Sequence, residues 1–472
     1  MGRVKALLLG LLASLLVFFN ISGTAFANPV VSITSPTTGD SISGSSFTVT
    51  GTATANTPVQ VSINGTLIDT VTSDGGGNWT LDVTGQSVGS KTISAKAIGD
   101  TFLYSAKGYG GTEEYIFDLA TDTQVAGSPI TPSVALNSTL SVVSPDGSKI
   151  YYININSSDI LVFDTNTQDN SVFLSTGAVS VSGIAISSDD STLYVSDPNT
   201  NSVYVIDIGS ATITDTIALV GTVPQQLVLS PDDSTLYVTS SFDPSIDVVD
   251  TSSNTVTDTI TLPSANISVI VNSTGSTVYV GSNASPSDIF VIDTATNTHT
   301  DTVAVGISAN DMALLPDDSK LYVVNAFDSS PEGTVSVIDT STNTVTSTVN
   351  VGWLPVGVDN TSDGSSVYVL CVGNLFGDGT AAGIWKIDTS DDSVTNILSG
   401  VAADGNSTMG RFIAQQTSTD SITITLTAST ADSDSDEDLA DTGSDIRALQ
   451  TIASLLIFAG FALILRKASP AK

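Results

Sequence analysis

One pattern constrains this chain more than any other: a short apolar strand ending in Asp returns seven times. Its copies are Tyr115-Ile116-Phe117-Asp118, Leu161-Val162-Phe163-Asp164, Val205-Ile206-Asp207, Val248-Val249-Asp250, Val291-Ile292-Asp293, Val337-Ile338-Asp339 and Lys386-Ile387-Asp388. Successive aspartates stand 46, 43, 43, 43, 46 and 49 residues apart. A second strand lies upstream of each. These run from Phe102-Leu103-Tyr104 and Ile150-Tyr151-Tyr152 through Leu193-Tyr194-Val195, Leu236-Tyr237-Val238, Val278-Tyr279-Val280 and Leu321-Tyr322-Val323 to Val367-Tyr368-Val369. Turns such as Ser144-Pro145-Asp146-Gly147 and Ser230-Pro231-Asp232-Asp233 precede most of them. Pro pre-sets φ for the second position of a type I turn, and Asp and Gly suit the others. After each Asp comes a polar turn, as in Asp339-Thr340-Ser341-Thr342-Asn343, and then an outer strand, as in 344–349.

Four short apolar strands per unit, about ten residues apart, are the signature of a propeller blade. Seven copies predict an all-β, seven-bladed β-propeller over residues 100–428. The pattern resembles the YVTN-type β-propeller repeat, with its "PDG…LYV…VIDT" core, which lactonase-like and surface-layer propellers share. The innermost strand of each blade precedes the Pro-Asp turn, yet the propeller begins without one, at Phe102. The missing strand is expected from the far end, as Arg411-Phe412-Ile413-Ala414, which would remove an exposed sheet edge. Phe102–Tyr104 and Ile422–Leu426 both suit the second strand slot of that closing blade.

Residues 28–99 alternate in the β manner at Val30–Ile33, Phe47–Ala53, Val59–Ile63, Trp79–Val83 and Thr92–Ala97, between turns rich in Gly and Asp. This resembles a bacterial Ig-like β-sandwich, with Trp79 as a core anchor. Residues 429–446, with Ser433-Asp434-Ser435-Asp436-Glu437-Asp438, lack apolar period and read as an acidic, disordered stalk.

Both ends speak of export. Arg3 and Lys5, an apolar run from Ala6 to Phe19 and Ala25-Phe26-Ala27 form a signal-peptide pattern over residues 1–27. A second apolar stretch predicts a transmembrane helix over 447–466, followed by a basic cytoplasmic tail, 467–472. Directly before it stands Leu439-Ala440-Asp441-Thr442-Gly443. This resembles a sortase sorting signal of the LPxTG type, with Ala440 in place of Pro, and implies transfer of Thr442 to the cell wall by a sortase. A retained single-pass anchor is the alternative. Either way the chain is expected to be tethered at a bacterial cell surface.

The 13 Lys and Arg face 48 Asp and Glu, a net charge of −35. Nucleic acid and anionic lipid need a positive surface, so both are excluded as partners. The single cysteine, Cys371, lies in an apolar run and suits a buried thiol, and the single histidine, His299, falls on an outermost strand. No C-x-x-C-H, P-loop or dinucleotide fingerprint is present, so no cofactor is expected. Calcium stays open, although no loop has a fixed ligand spacing.

The loops between second and third strands share one face with the connections between blades. That face carries Phe242, Phe327, Trp353 and Phe376 beside Asp243, Asp328 and Asp378, with Asp197 and Glu332 also on it. Aromatic area with nearby acceptors suits a sugar or a peptide. The expectation is a binding or adhesion module for a glycan, peptide or neighbouring cell, not an enzyme, with no catalytic residue. The alternatives are an exported propeller hydrolase or lactonase, and a structural surface-layer-like envelope component.

Overall fold

The repeat folds as it does because its polar residues tie its turns. In the blade built from residues 224–261 the Ser230 hydroxyl donates to Asp232 Oδ1 at 2.6 Å, while Ser230 Oγ accepts the Thr235 backbone N–H at 3.0 Å. Between them Asp233 adopts φ 58°. The corresponding residue is Gly147, Asp190, Gly275, Asp318 or Gly364 in other blades, each at φ between 58° and 73°. Only Gly, Asp and Asn enter this left-handed region readily, which is why the motif keeps Gly or Asp there.

The Asp-Thr pair at the end of the third strand has a second task. Asp250 Oδ1 accepts the Ser253 N–H at 2.8 Å and opens the next turn. Thr251 Oγ1 donates to the Asp233 carbonyl at 2.7 Å, clipping that turn to the Pro-Asp turn. Thr294, Thr340 and Thr389 repeat the clip on Gly275, Asp318 and Gly364.

The computed structural model describes residues 29–428 apart from 107–113, 126, 135–137, 155–156, 179, 327–332, 373–382, 400–408 and 411. The signal peptide, stalk, sorting signal Leu439–Gly443, transmembrane helix and basic tail expected from the sequence lie outside these residues. The described residues are all strand and loop, without a helix long and apolar enough to cross a membrane.

Six four-strand antiparallel blades follow one another. Their innermost strands contain Ser138–Val143, Ile184–Ile186, Pro224–Leu229, Asn266–Val271, Ala309–Leu314 and Pro355–Asn360. These are the second to seventh blades. In the second, Met409–Gly410 adds a parallel strand inside Leu140–Ser141. The first blade is assembled from both ends of the propeller: Ile413 and Ala414 pair with Leu103 and Phe102, followed outward by Glu114–Asp118 and Thr123–Gln124. The core lies between neighbouring blades, where Tyr151, Tyr322, Tyr368, Phe163 and Phe290 are buried.

The closing strand does not stop at the propeller. Ile413–Thr427 and Gly89–Ala106 are two continuous strands, paired from Ile413↔Leu103 to Leu426↔Gly89. Their outer halves belong to the Ig-like sandwich. One of its sheets comprises Val31–Ser35, Phe47–Ala53 and Asn78–Val83; the other adds Ser41–Ser43, Pro58–Ile63 and Thr66–Thr72 to the shared pair. Ile424 and Leu426 are buried in the sandwich core with Val49, Val61, Trp79 and Ile93. This corrects two expectations. The propeller ends near residue 416 rather than 428, and residues 28–99 form an Ig sandwich completed only by 417–427. Of the two candidates for the second strand of the closing blade, Phe102–Tyr104 fills the slot and Ile422–Leu426 does not. The propeller is thus an insertion between two adjacent Ig strands.

Trp79 anchors that sandwich opposite Gly51, its cross-strand partner. A Cβ on Gly51 would stand 2.2 Å from the Trp79 ring and 2.1 Å from the Ser32 carbonyl. The missing side chain lets the indole lie flat against the backbone.

Candidate functional site

The ring has two unlike faces. One carries the Pro-Asp turns. The other, the rim face, carries the loops between second and third strands and the connections between blades.

On the rim face the connection from third to fourth blade is clamped by carboxylates. Asp247 Oδ2 accepts the N–H groups of Val220 and Gly221 at 2.9 Å, and Asp243 Oδ2 accepts that of Thr222 at 2.7 Å. The same segment leaves Val220 67% exposed, and the adjoining loop leaves Phe242 75% exposed. Loops that merely plugged their blades would bury this ring. Among the described residues, three blade connections hold non-glycine residues at positive φ: Val223 at 54°, Ser308 at 67° and Leu354 at 53°. For a β-branched residue such as Val223 this is strained backbone. It is held by the Asn201 side chain, which accepts the Val223 N–H at 2.9 Å, and by the Ser241 N–H on the Val223 carbonyl. Trp353, half-buried, immediately precedes Leu354.

Asp197 on this face is itself buried. Burial works against its charge, but the Tyr204 hydroxyl at 2.7 Å and the Asn199 N–H at 2.8 Å hold its carboxyl below the usual range. Of the residues expected on the face, the structure thus sets Phe242, Asp243 and Trp353 on rim-face loops and Asp197 at the rim end of the strand Thr192–Asp197. Phe327, Asp328, Glu332, Phe376 and Asp378 lie outside the described residues.

The channel holds a cavity of about 290 Å³, lined by Ile184, Gln226, Val269, Asp311, Val358 and Asp359 among others. It reaches Pro145, Ser187 and Pro231 and so lies toward the Pro-Asp turns, away from the aromatic rim. Its polar side chains stitch the ring. Gln226 Oε1 accepts the Val269 N–H of the fifth blade at 3.3 Å. Asp311 Oδ2 accepts the Val358 N–H of the seventh at 3.1 Å. Asp359 Oδ2 accepts the Phe412 and Ile413 N–H groups of the closing strand, both at 3.0 Å. Such carboxylates are oriented by the backbone they bind.

His299 lies on the outer strand Thr298–Ala304, with Nε2 2.9 Å from the Thr302 hydroxyl and its ring edge-on to Phe290. Cys371 is fully buried, and burial pushes its thiol up. Among the described residues no three His, Cys, Asp or Glu gather as a metal site.

One buried carboxyl had not been singled out from sequence. Glu114 is wholly enclosed, with Oε1 3.1 Å from the Tyr152 hydroxyl. Aligning the seven copies would have flagged it, because the other six have Ile or Val at its position.

Comparison with known proteins agrees with the two folds. Residues 29–95 match the bacterial Ig domain family, and residues 141–271 match the family described as lactonase, seven-bladed beta-propeller. Among solved structures, a putative 6-phosphogluconolactonase from Bacteroides fragilis aligns with a TM-score of 0.54 at 17% identity, over 67% of this chain and 98% of its own. Hydrazine synthase from Kuenenia stuttgartiensis aligns with a TM-score of 0.46 at 20% identity, over 56% of this chain and 80% of its own. No curated protein matches the chain. The chain therefore carries a bacterial Ig domain and a seven-bladed β-propeller that matches the lactonase family over residues 141–271, and the likeness to the putative 6-phosphogluconolactonase is one of fold.

Proposed function

We propose that this chain is an exported, surface-tethered protein whose propeller binds a glycan or peptide on its rim face. The observation that carries this reading is Phe242, three-quarters exposed beside exposed Val220 on a loop fixed by Asp243 and Asp247. An aromatic ring left in water on a loop that carboxylates hold in place is a contact surface rather than a core element. The strained connections at Val223 and Leu354 border the same face.

The tether is the one expected from the ends: signal peptide 1–27, stalk 429–446, and either sortase transfer at Thr442 or a retained helix over 447–466. The described chain starts and finishes in the Ig sandwich, so a stalk after residue 428 would leave from that module. The Ig module would then stand between anchor and propeller, with cell wall or membrane on one side and ligand on the other. Calcium would act, if at all, in the rim loops.

A second reading is an exported hydrolase of the lactonase class, favoured by the family match over 141–271 and by the lactonase-like fold. Its chemistry would fall to Asp311 and Asp359 in the channel cavity. A screen of the mature chain against glycans, wall fragments and simple lactones, with and without calcium, separates the two. Saturable binding without turnover supports the rim; lactone hydrolysis lost in Asp311→Asn supports the channel.

A further inference from the structure

The seven copies of the repeat agree on what fills the space between blades, and they disagree at one seam. Four residues before the terminal Asp of the third strand stand Ile160, Val203, Ile246, Ile289, Val335 and Ile384, all fully buried. In the first blade that residue is Glu114, just as buried. The third residue of the second-strand motif is Val195, Val238, Val280, Val323 and Val369 in five blades. In the first and second it is Tyr104 and Tyr152, both fully enclosed. The three departures come together. Tyr152 and Glu114 hydrogen-bond across the seam at 3.1 Å, and Tyr104 shares their cluster with Phe102, Ile116, Ile150, Leu161 and Phe163.

This polar trio is only partly satisfied. Glu114 Oε2 is buried without a hydrogen-bond partner among the described residues, while the Tyr104 hydroxyl faces the Thr165 side chain. A half-satisfied polar group in an apolar seam destabilises, and far more when ionised than when neutral. The first blade, on one side of this seam, has the shortest outer strand among the described blades. The first blade is built from two distant chain segments, and its outer strand has 2 residues where the second blade's has 7 and the sixth's has 8.

We propose that the seam between the first and second blades is an acid–base latch, held shut by a neutral Glu114 carboxyl and loosened when that carboxyl ionises. The groups facing it are the two tyrosines, one from each neighbouring strand, with Asp164 acting on Tyr104 from behind. Burial pushes both hydroxyls far up, so they stay neutral. The closing strand contributes Phe412 and Ala414, which do not titrate. No cation faces the carboxyl among the described residues. Burial therefore dominates and raises Glu114 to about 8, the Tyr152 hydroxyl offsetting only part of the effect.

An opened seam would let the carboxyl return to its ordinary value of 4.5. The closed state binds the extra proton between these two values, so closure is strongest below 4.5 and is lost as pH rises through 8. Glu114 begins its strand at the rim end, so an opened seam would reach the rim side of the ring. The latch would make that face sensitive to alkaline surroundings.

Hydrogen exchange on the full chain, corrected for the intrinsic rate at each pH, tests this. Between pH 6 and pH 8, protection of 102–106, 114–118 and 149–154 should fall roughly fifty-fold by linkage. The fourth-to-fifth seam, with Ile246, Val238 and Val280, should hold. Glu114→Gln should abolish the pH dependence, and Glu114→Ile, the residue of the other copies, should do the same. A pH-independent seam in the native chain, or an unchanged response in either variant, would overturn the latch.

Discussion

The shared strand pair makes a demanding prediction, because it places part of the Ig core more than 300 residues downstream of the rest. Ile424 and Leu426 are each 1% exposed and pack with Val49, Val61, Trp79 and Ile93. Truncating a buried Ile or Leu to Ala destabilises by about 2–5 kcal/mol, the spread reflecting how well the site collapses. The two sites share one cavity, so their effects will not add simply; together they should remove roughly 4–8 kcal/mol. A domain of ordinary stability has about 5–15 kcal/mol in all. Ile424→Ala with Leu426→Ala should therefore unfold the Ig sandwich at temperatures where the propeller persists. Hydrogen exchange reads the two regions separately: protection should collapse in 31–98 and survive in 192–323. Thr425→Ala, on the exposed side of the same strand, should change neither. If the double variant left 31–98 protected, the assignment of 417–427 to the Ig core would be wrong.

Other consequences follow from single contacts. Gly51→Ala should cost about 3 kcal/mol, since its Cβ would meet the Trp79 ring and the Ser32 carbonyl, measurable as a lowered denaturation midpoint. Lys386→Met removes the 2.6 Å ion pair with Asp122 that joins the seventh blade to the first; a partly buried pair of this kind should contribute about 1 kcal/mol, read by thermal unfolding. The turn aspartates set the acid limb. Hydrogen bonds from Ser230 and Ser234 draw Asp232 down to about 2, and Asp250, Asp293 and Asp339 are lowered by their own turns. A lowered folded value means stability present above the ordinary carboxylate range and lost as pH falls through it. The melting temperature should therefore drop between pH 4 and pH 2, less steeply in Asp232→Asn.

The propeller was legible because its signals are local and repeated. Asp at the third-strand end and Gly or Asp in the left-handed turn position each answer a hydrogen bond or a φ angle within one blade. The destination of Ile422–Leu426 was not legible, since alternation fits any half-buried strand and pairing with Gly89–Ile93 is non-local. For the candidate site, the aromatic loop residues could be read from the repeat, but not that Phe242 stays exposed while the cavity faces the opposite end of the channel. Glu114 was readable only by asking where one copy departs from the other six.

The central claim is that the rim face, not the channel, meets the ligand. Calorimetric titration of the mature chain with the best glycan or wall fragment, repeated on Phe242→Ala and on Asp311→Asn, tests it most directly. Phe242 is exposed, so its loss should leave the melting temperature unchanged while binding weakens at least tenfold, about 1.4 kcal/mol. Asp311→Asn should bind as the native chain does. The reverse pattern, with Phe242→Ala binding normally and Asp311→Asn losing binding or turnover, would contradict the account and move the site into the channel.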